Sequence, residues 1–390
     1  MGNTTDEFWD EQSEKSAIKT AIVANFFDTY IRIITNRFSS VKQIYYIDLF
    51  SGPGRYKDGK ESTPLQVFNK INSINSNVLN SKIQFVFNDY NKKLFKQLLN
   101  NLTSHPLYNN LKSPPLIFNL EADQIDLSKY LKSNEPVFSF VDPFGYKGTS
   151  VEQIWRLVKN RGSDCIFFFN ANRFIMDVPK DKESEFKSLF GEYYEELKLT
   201  VYSNDSHFSK MKRVLQLFSK NVVDMAKQAS QKFELFILPF AFCFDDRGKQ
   251  SHYLLFITKN HKAVIEMKKV MSKLSNSIND EMGYDSKKVN QLSIFQLTND
   301  TSTTIIKTII TIHSKYSLCE QAWTVLELLE FVDKKCMKIK TRVSPFTEKE
   351  FKIALKCMYD KGYMNDTFSF RANEDFSNMK KFTLIKEKME

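Results

Sequence analysis

The run Val141-Asp142-Pro143-Phe144-Gly145 places a carboxylate, a proline-fixed backbone and an aromatic ring in consecutive positions at the end of an apolar stretch. That combination suits methylation of an exocyclic amine. The nitrogen lone pair must be freed from competing hydrogen bonds, and a side-chain carboxylate with the carbonyl beside a rigid proline offers two acceptors for the amine hydrogens. Phe144 would stack on a planar base, as aromatic side chains do where a base is held outside its helix. Asp142, Pro143, Phe144 and Gly145 are therefore the candidate catalytic residues, set against the plainer reading of a strand-ending turn.

A second constellation, Asp48-Leu49-Phe50-Ser51-Gly52-Pro53-Gly54, follows an earlier apolar run. Glycines at a strand-to-helix turn let backbone approach a ligand closely. Asp48 at the strand end would hold the cationic amino group of S-adenosylmethionine. A pyrophosphate cradle would instead show G-x-G-x-x-G opening straight into a helix. Here the third glycine is missing and a polar segment, Arg55 to Glu61, intervenes, which disfavours a dehydrogenase. An ordinary glycine turn is the alternative. Asp89 ends the next apolar run, where a carboxylate can accept both ribose hydroxyls or cap the following helix. Asp123, after the third run, would bond the adenine amine, with Glu121 and Asp126 as competing neighbours. Cytosine-C5 chemistry needs a nucleophilic cysteine after the fourth strand, but Cys165 lies inside the fifth. Histidines 105, 207, 252, 261 and 313 form no ligand pattern, so no metal is expected.

The elements that must carry these residues alternate. KSAIKTAIVANFFDTYIRIITNR has helical apolar spacing. KQIYYIDLF, IQFVFND, PLIFNLEAD, PVFSFVD and DCIFFFNANRF read as five strands interleaved with helices, the pattern of a parallel sheet. Ser62 or Thr63 with Pro64 marks the start of the helix after the glycine turn. FELFILPFAFCF and HYLLFITKN, joined by DDRGKQS, predict a closing hairpin, the antiparallel ending that separates a methyltransferase sheet from a dehydrogenase sheet. Asn170, Asn172 and Arg173 would border the pocket, with a structural salt bridge the alternative for Arg173. Residues 275–302 are polar and read as a linker. AWTVLELLEFVDKK, FTEKEFKIALKCMYDKGYM and KKFTLIKEK suggest two helices, a turn at Gly362 and a terminal strand, resembling a winged helix-turn-helix. Its second helix, capped by Thr347 or Ser344, would expose Lys349, Lys352 and Lys356 to nucleic acid and bury Phe351, Ala354, Leu355 and Met358. A purely structural or dimerisation role is the alternative.

The 390 residues, 42% of them hydrophobic, suffice for two domains. A formal charge of +10 favours an anionic partner, although a Lys-rich composition alone also produces it. The five cysteines lack C-x-x-C spacing, and Cys165 and Cys243 read as core residues. The acidic segment MGNTTDEFWDEQSEK has no secretory character, and no apolar block approaches the roughly 20 residues of a membrane span. A cytoplasmic protein is expected.

KTAIVANFFDTY, IDLFSGPGRY, Ser62-Thr63-Pro64-Leu65, FVDPFG, HYLLFITKN and the winged-helix-like tail together resemble the three-Cys-motif partner proteins (TcmP). Thr63 departs from that family's serine. The resemblance implies a Rossmann-like class I methyltransferase sheet, a cofactor site at Phe50, Ser51, Gly52, Pro53 and Gly54, a catalytic loop at Asp142 to Gly145, and a possible protein partner of the three-cysteine, phage-related type. DPFG also looks like the catalytic loop of tRNA guanine-N2 methyltransferases. The expected organisation is a helical segment at 1–40, a methyltransferase domain at 41–275 with a helical insertion at 176–231, and a winged-helix-like domain at 303–390. The expected function is S-adenosylmethionine-dependent N-methylation of a base in DNA or RNA, the alternative a catalytically silent nucleic-acid-binding or scaffold protein.

Overall fold

Strands buried on both faces carry apolar and aromatic residues almost without interruption. IYYID, IQFVFN and VFSFV are such strands, and every residue in them is buried. In the computed structural model, which describes residues 8–37, 40–131, 134–180, 183–230, 234–244, 249–278, 281–285, 294–364 and 381–389, they form the centre of one sheet. Its strands are β1 (Ile44–Asp48), β2 (Ile83–Asn88), β3 (Leu116–Phe118), β4 (Val137–Val141), β5 (Asp164–Phe169), β6 (Phe236–Phe244), β7 (Lys249–Thr258), β8 (Ser277–Ile278) and β9 (Met282–Asp285). Their order is β3-β2-β1-β4-β5-β7-β6-β9-β8. β1 to β5 run parallel, and β7 inserts antiparallel between β5 and β6. The predicted hairpin is therefore present, with residues 245–248 of its join outside the described residues. Chain order reverses between β1 and β4, and in open α/β sheets the crevice beyond the carboxyl ends at such a point binds ligands.

The helices of this unit are α1 (Glu14–Arg37), α2 (Thr63–Ile74), α3 (Asn77–Lys82), α4 (Lys92–Thr103), α5 (Pro106–Asn110), α6 (Val151–Val158), α7 (Ala171–Asp177), α8 (Glu183–Phe190), α9 (Tyr194–Tyr202), α10 (His207–Ala229) and α11 (His261–Leu274). Local chemistry sets their starts. Ser62 is the N-cap residue of α2, with Pro64 in its first turn. Asn91 accepts from the amides of Lys93 and Leu94 to open α4, and Ser150 accepts from Gln153 to open α6. α1 lays aromatic rings on the sheet: Phe27 lies 5.2 Å from Phe138 on β4, and Phe26 4.7 Å from Phe256 on β7, ring centre to ring centre. Tyr30 donates to the Gly162 carbonyl at 2.8 Å. Cys165 is buried as expected; the Cys243 side chain lies outside the described residues.

Three expectations need correction. Of PLIFNLEAD only Leu116–Phe118 is strand, because the Asn119 side chain turns back to donate to the carbonyls of Asp89 and Tyr90 at 2.7 and 2.9 Å. Residues 275–302 are not simply a linker: β8 and β9 extend the sheet edge, held where Ser275 Oγ donates to the Gly283 carbonyl at 2.9 Å, and a helix begins at Ile294. The terminal segment KKFTLIKEK makes isolated bridges only, at Phe382 and Leu384, and then turns into a short helix.

Residues 279–281 and 286–390 form a second compact unit. It contains α12 (Ile294–Tyr316), α13 (Val325–Lys340), α14 (Glu348–Asp360) and α15 (Lys386–Met389). Thr324 with Glu327 and Thr347 with Glu350 form capping boxes at the starts of α13 and α14. Ser344 instead donates through its backbone amide and hydroxyl to buried Asp333, at 2.9 and 2.5 Å. Phe351, Ala354, Leu355 and Met358 are buried as their spacing predicts. The bridges Trp323 to Phe382 and Met364 to Leu384 bracket residues 365–380, which lie outside the described residues.

Candidate active site

Two strand-end acids organise the glycine turn. Asp48 is fully buried, and its Oδ1 accepts from the Phe50 amide at 3.1 Å. Asp48 Oδ2 has no hydrogen-bond partner. Burial pushes this carboxyl well above its ordinary range; the Phe50 amide opposes that, Asp142 and Asp89 add to it, and Lys19 draws it back. Asp89 accepts from the Gly52 amide at 2.9 Å and the Asn91 amide at 2.8 Å, so it ties β2 to the glycine turn. Burial raises its pKa too, against the pull of those two amides. Ser51 donates to the Asp48 carbonyl at 2.9 Å, and the Asn88 side chain donates to the carbonyls of Leu49 and Leu120 at 2.9 and 3.1 Å. The Asn101 side chain holds the Pro53 carbonyl at 2.7 Å. Gly52 has φ +65°, and a Cβ there would stand 2.2 Å from the Trp9 ring, so only glycine fits.

A cavity of about 290 Å³ opens beside this turn, lined among others by Phe50, Asp89, Tyr90, Asp123, Phe144 and Gly148. Ligand pockets run from roughly 300 to 1,000 Å³, so it stands at the small end of that range. It brings together residues from the ends of β1, β2 and β4 with Asp123. That aspartate sits in a 3₁₀ turn, Ala122–Gln124, beyond β3 rather than on it. Of its two competitors, Glu121 also lines the cavity and pairs with Lys147 at 3.5 Å. Asp126 caps the next turn through Ser128.

The loop after β4 is anchored at its C-terminal end. Tyr146 is buried against Phe174 and Phe186, at 5.4 and 4.9 Å between ring centres, and its hydroxyl donates to Asp177 at 3.2 Å. Gly145, at φ +114°, donates its amide to the Pro143 carbonyl at 2.8 Å. Phe144 is 56% exposed at the cavity wall, free to stack on a planar group. Asp142 is in an ion pair with Lys19 of α1. The Asp142 carboxylate and the Pro143 carbonyl thus each serve one partner already, and each keeps lone pairs for another.

The sequence reading missed the contributions of α1 and the segment before it. Lys19, Val23, Phe26 and Tyr30 share one helix stripe, and a lysine in register with buried apolar residues was the available signal. Trp9 presses on Gly52, and Phe8, Trp9, Tyr56 and Phe144 form an aromatic group, with Phe8 and Phe144 5.3 Å apart and Trp9 and Tyr56 5.0 Å apart. An aromatic pair inside an otherwise acidic stretch was the clue there. Burial first, and then Asp142 and Asp58, push the Tyr56 hydroxyl to about 12, against hydrogen bonds involving Ser16 and Gln12. His252 stacks on Phe242 and touches Phe168, both at 4.6 Å, and burial, with Lys19 and Lys15, holds it neutral.

Arg173 pairs with Asp177 at 2.7 Å, the structural alternative. On α14, Lys349 and Lys356 are exposed, whereas Lys352 is half-buried and paired with Glu348 at 2.5 Å, which corrects its placement on the open face. Among the described residues no group of His, Cys, Asp and Glu is arranged to hold a metal, and no helix is long and apolar enough to cross a membrane.

A 3-2-1-4-5-7-6 order with strand 7 antiparallel defines a Rossmann-like class I methyltransferase sheet, here lengthened by β9 and β8. Among solved structures the chain is similar to the protein LPL1258 from Legionella pneumophila, at 13% identity over 65% of this chain and 91% of that one, with a TM-score of 0.36. It is also similar to the small RNA methyltransferase HEN1, at 9% identity over 60% of this chain and 26% of that one, with a TM-score of 0.31. A third is the O-methyltransferase TomG from Streptomyces achromogenes, solved in complex with SAM, at 10% identity over 65% of this chain and 94% of that one, TM-score 0.31. No protein-family model and no curated protein matches the chain.

Proposed function

We propose that the chain is an S-adenosylmethionine-dependent methyltransferase acting on an exocyclic base amine in nucleic acid. The observation that carries this reading is the meeting, at the switch point of the sheet, of Phe144 from the Asp142-Pro143-Phe144-Gly145 loop with Asp89 and Asp123 on the wall of one cavity. The residues fit the cofactor: the unpartnered Asp48 Oδ2 suits its α-ammonium, Asp89 keeps lone pairs for ribose hydroxyls, and Asp123 suits the adenine amine. When bound, the cofactor supplies an electrophilic methyl group on a sulfonium. Asp142 and the Pro143 carbonyl accept the amine hydrogens and turn the nitrogen lone pair outward, Phe144 stacks the base, and Asp142 or solvent takes the proton released after transfer.

The motifs also support membership of the TcmP family, a winged-helix role for the second unit and a three-cysteine protein partner. The ion pair on Asp142 and the indole on Gly52 favour one further reading, a silent scaffold that has kept the fold. Calorimetry with S-adenosylmethionine and with NAD, followed by labelled-methyl transfer to DNA, tRNA and total RNA, separates them. Asp142→Ala is expected to abolish transfer, a loss of at least about a hundredfold, with cofactor affinity unchanged. Loss of binding as well would make the loop structural, and binding of nucleic acid without transfer would favour the scaffold.

A further inference from the structure

Two polar atoms at the glycine turn are buried without a hydrogen-bond partner: Trp9 Nε1 and Asp48 Oδ2. Trp9 is 8% exposed and Asp48 fully buried. Buried polar groups are rarely left unmet. Here one orphan is an indole N–H, which can only donate, and the other a carboxyl oxygen, which accepts once a cation beside it offsets the burial that raises its pKa. A ligand that answers both carries an anionic acceptor for the indole and a cationic donor for the carboxyl, as an α-amino acid does. The indole also lies directly on Gly52: its Cζ2, two bonds from Nε1, is 2.4 Å from where a Cβ on Gly52 would be.

Resting on the S-adenosylmethionine reading above, we propose that Trp9 is a binding residue for the methionyl end of the cofactor, its N–H donating to the α-carboxylate while Asp48 accepts from the α-ammonium. The segment that carries the ring is fastened to the glycine-turn extension rather than hanging over it. Lys57 donates its amide to the Trp9 carbonyl at 2.9 Å, Asp58 donates to the Asp10 carbonyl at 3.0 Å, and the Gln12 side chain donates to the Glu61 carbonyl at 3.2 Å. The Arg55 to Glu61 insertion, which set this turn apart from a dinucleotide fingerprint, is thus the platform that positions the indole. The rings of Tyr56 and Phe144 lie 5.0 and 6.4 Å from that of Trp9, tilted and edge-on to it, and an aromatic face beside the site would attract a sulfonium as it does other cations.

The test is calorimetric, on the full chain. Trp9→Phe keeps the roof and removes the N–H. It is expected to weaken S-adenosylmethionine about tenfold, the loss of one hydrogen bond to a charged acceptor, and to leave 5′-methylthioadenosine, which lacks the amino-acid end, unchanged. Decarboxylated S-adenosylmethionine tests the same bond on the unaltered protein: it is expected to bind about tenfold more weakly than S-adenosylmethionine. Equal affinity of the two cofactors for the unaltered protein, or unchanged S-adenosylmethionine affinity in Trp9→Phe, overturns the proposal. Tighter binding in Trp9→Ala overturns it in favour of an indole that blocks the site. Binding of methylthioadenosine but not of S-adenosylmethionine overturns it while leaving the adenosine pocket standing. Binding of neither removes the cofactor reading and this inference with it.

Discussion

Asp142 and Asp164 sit at opposite ends of the parallel strands and differ in how their charge is met. Asp142 is answered by Lys19, with side chains 20% and 12% exposed respectively. Removing one member of a partly buried pair strands the other. Lys19→Met is therefore expected to lower stability by about 1–3 kcal/mol, seen as a lower thermal midpoint; an unchanged midpoint would mean the pair is solvated and energetically idle. Asp164 accepts from the Thr258 hydroxyl at 2.5 Å, and burial raises its carboxyl from 3.8 to about 7, with Thr258 and Lys259 opposing. The folded chain therefore holds this proton more tightly than the unfolded chain. Its contribution to stability is full below about 3.8 and lost as pH rises through about 7. Denaturant titrations should show the unaltered protein losing stability relative to Asp164→Asn between pH 4 and 8, by a few kcal/mol at about 1.4 per pKa unit. Parallel profiles would place the folded pKa near the unfolded one.

At the scale of elements, the proposed catalytic loop is a short segment held at both ends, by the ion pair of Asp142 with Lys19 of α1 and by Tyr146 among the aromatics of α7 and α8. Between them Gly145 adopts φ +114° with open space where a Cβ would go. Gly145→Ala should thus cost backbone strain of about 1–2 kcal/mol rather than a clash, and relief of that strain shifts Phe144 and the Pro143 carbonyl. The expected result is a kcat lowered tenfold or more with S-adenosylmethionine affinity unchanged; an unaltered kcat would show that the loop's backbone does not set the acceptor geometry. β1, β2, β4 and β5 were legible in the sequence because each is an apolar run between turn residues, and the acids Asp48, Asp89 and Asp142 were legible because each follows such a run. Long-range contacts were not. Nothing local marks that Trp9 lies on Gly52 or that Lys19 reaches Asp142, since those pairings arise only when α1 crosses the sheet. α12 was read partly as linker because its Thr, Asn and Ile residues are weak helix formers, and β8 and β9 are too short to show a period.

For the whole molecule, the excess of 56 basic over 46 acidic residues gives a formal charge of +10, and neutralised phosphates make nucleic-acid affinity fall with salt. Net charge alone does not say where the phosphates lie. On α14 the structure separates the candidates: Lys349 and Lys356 are exposed, while Lys352 is spent on Glu348. If the second unit reads nucleic acid through this helix, each exposed lysine releases about one counterion, and the slope of log affinity against log salt runs near 0.9 per contact on duplex DNA. Lys349→Ala with Lys356→Ala should therefore flatten that slope by up to about 2 and weaken binding evenly across sequences. Lys352→Ala should leave the slope nearly unchanged. Fluorescence anisotropy of a labelled duplex and a labelled single strand, from 50 to 300 mM salt, reads both. Equal slopes in all three proteins would remove α14 from the interface and leave the basic charge as a property of composition; a flattened slope would make α14 a nucleic-acid contact of the second unit.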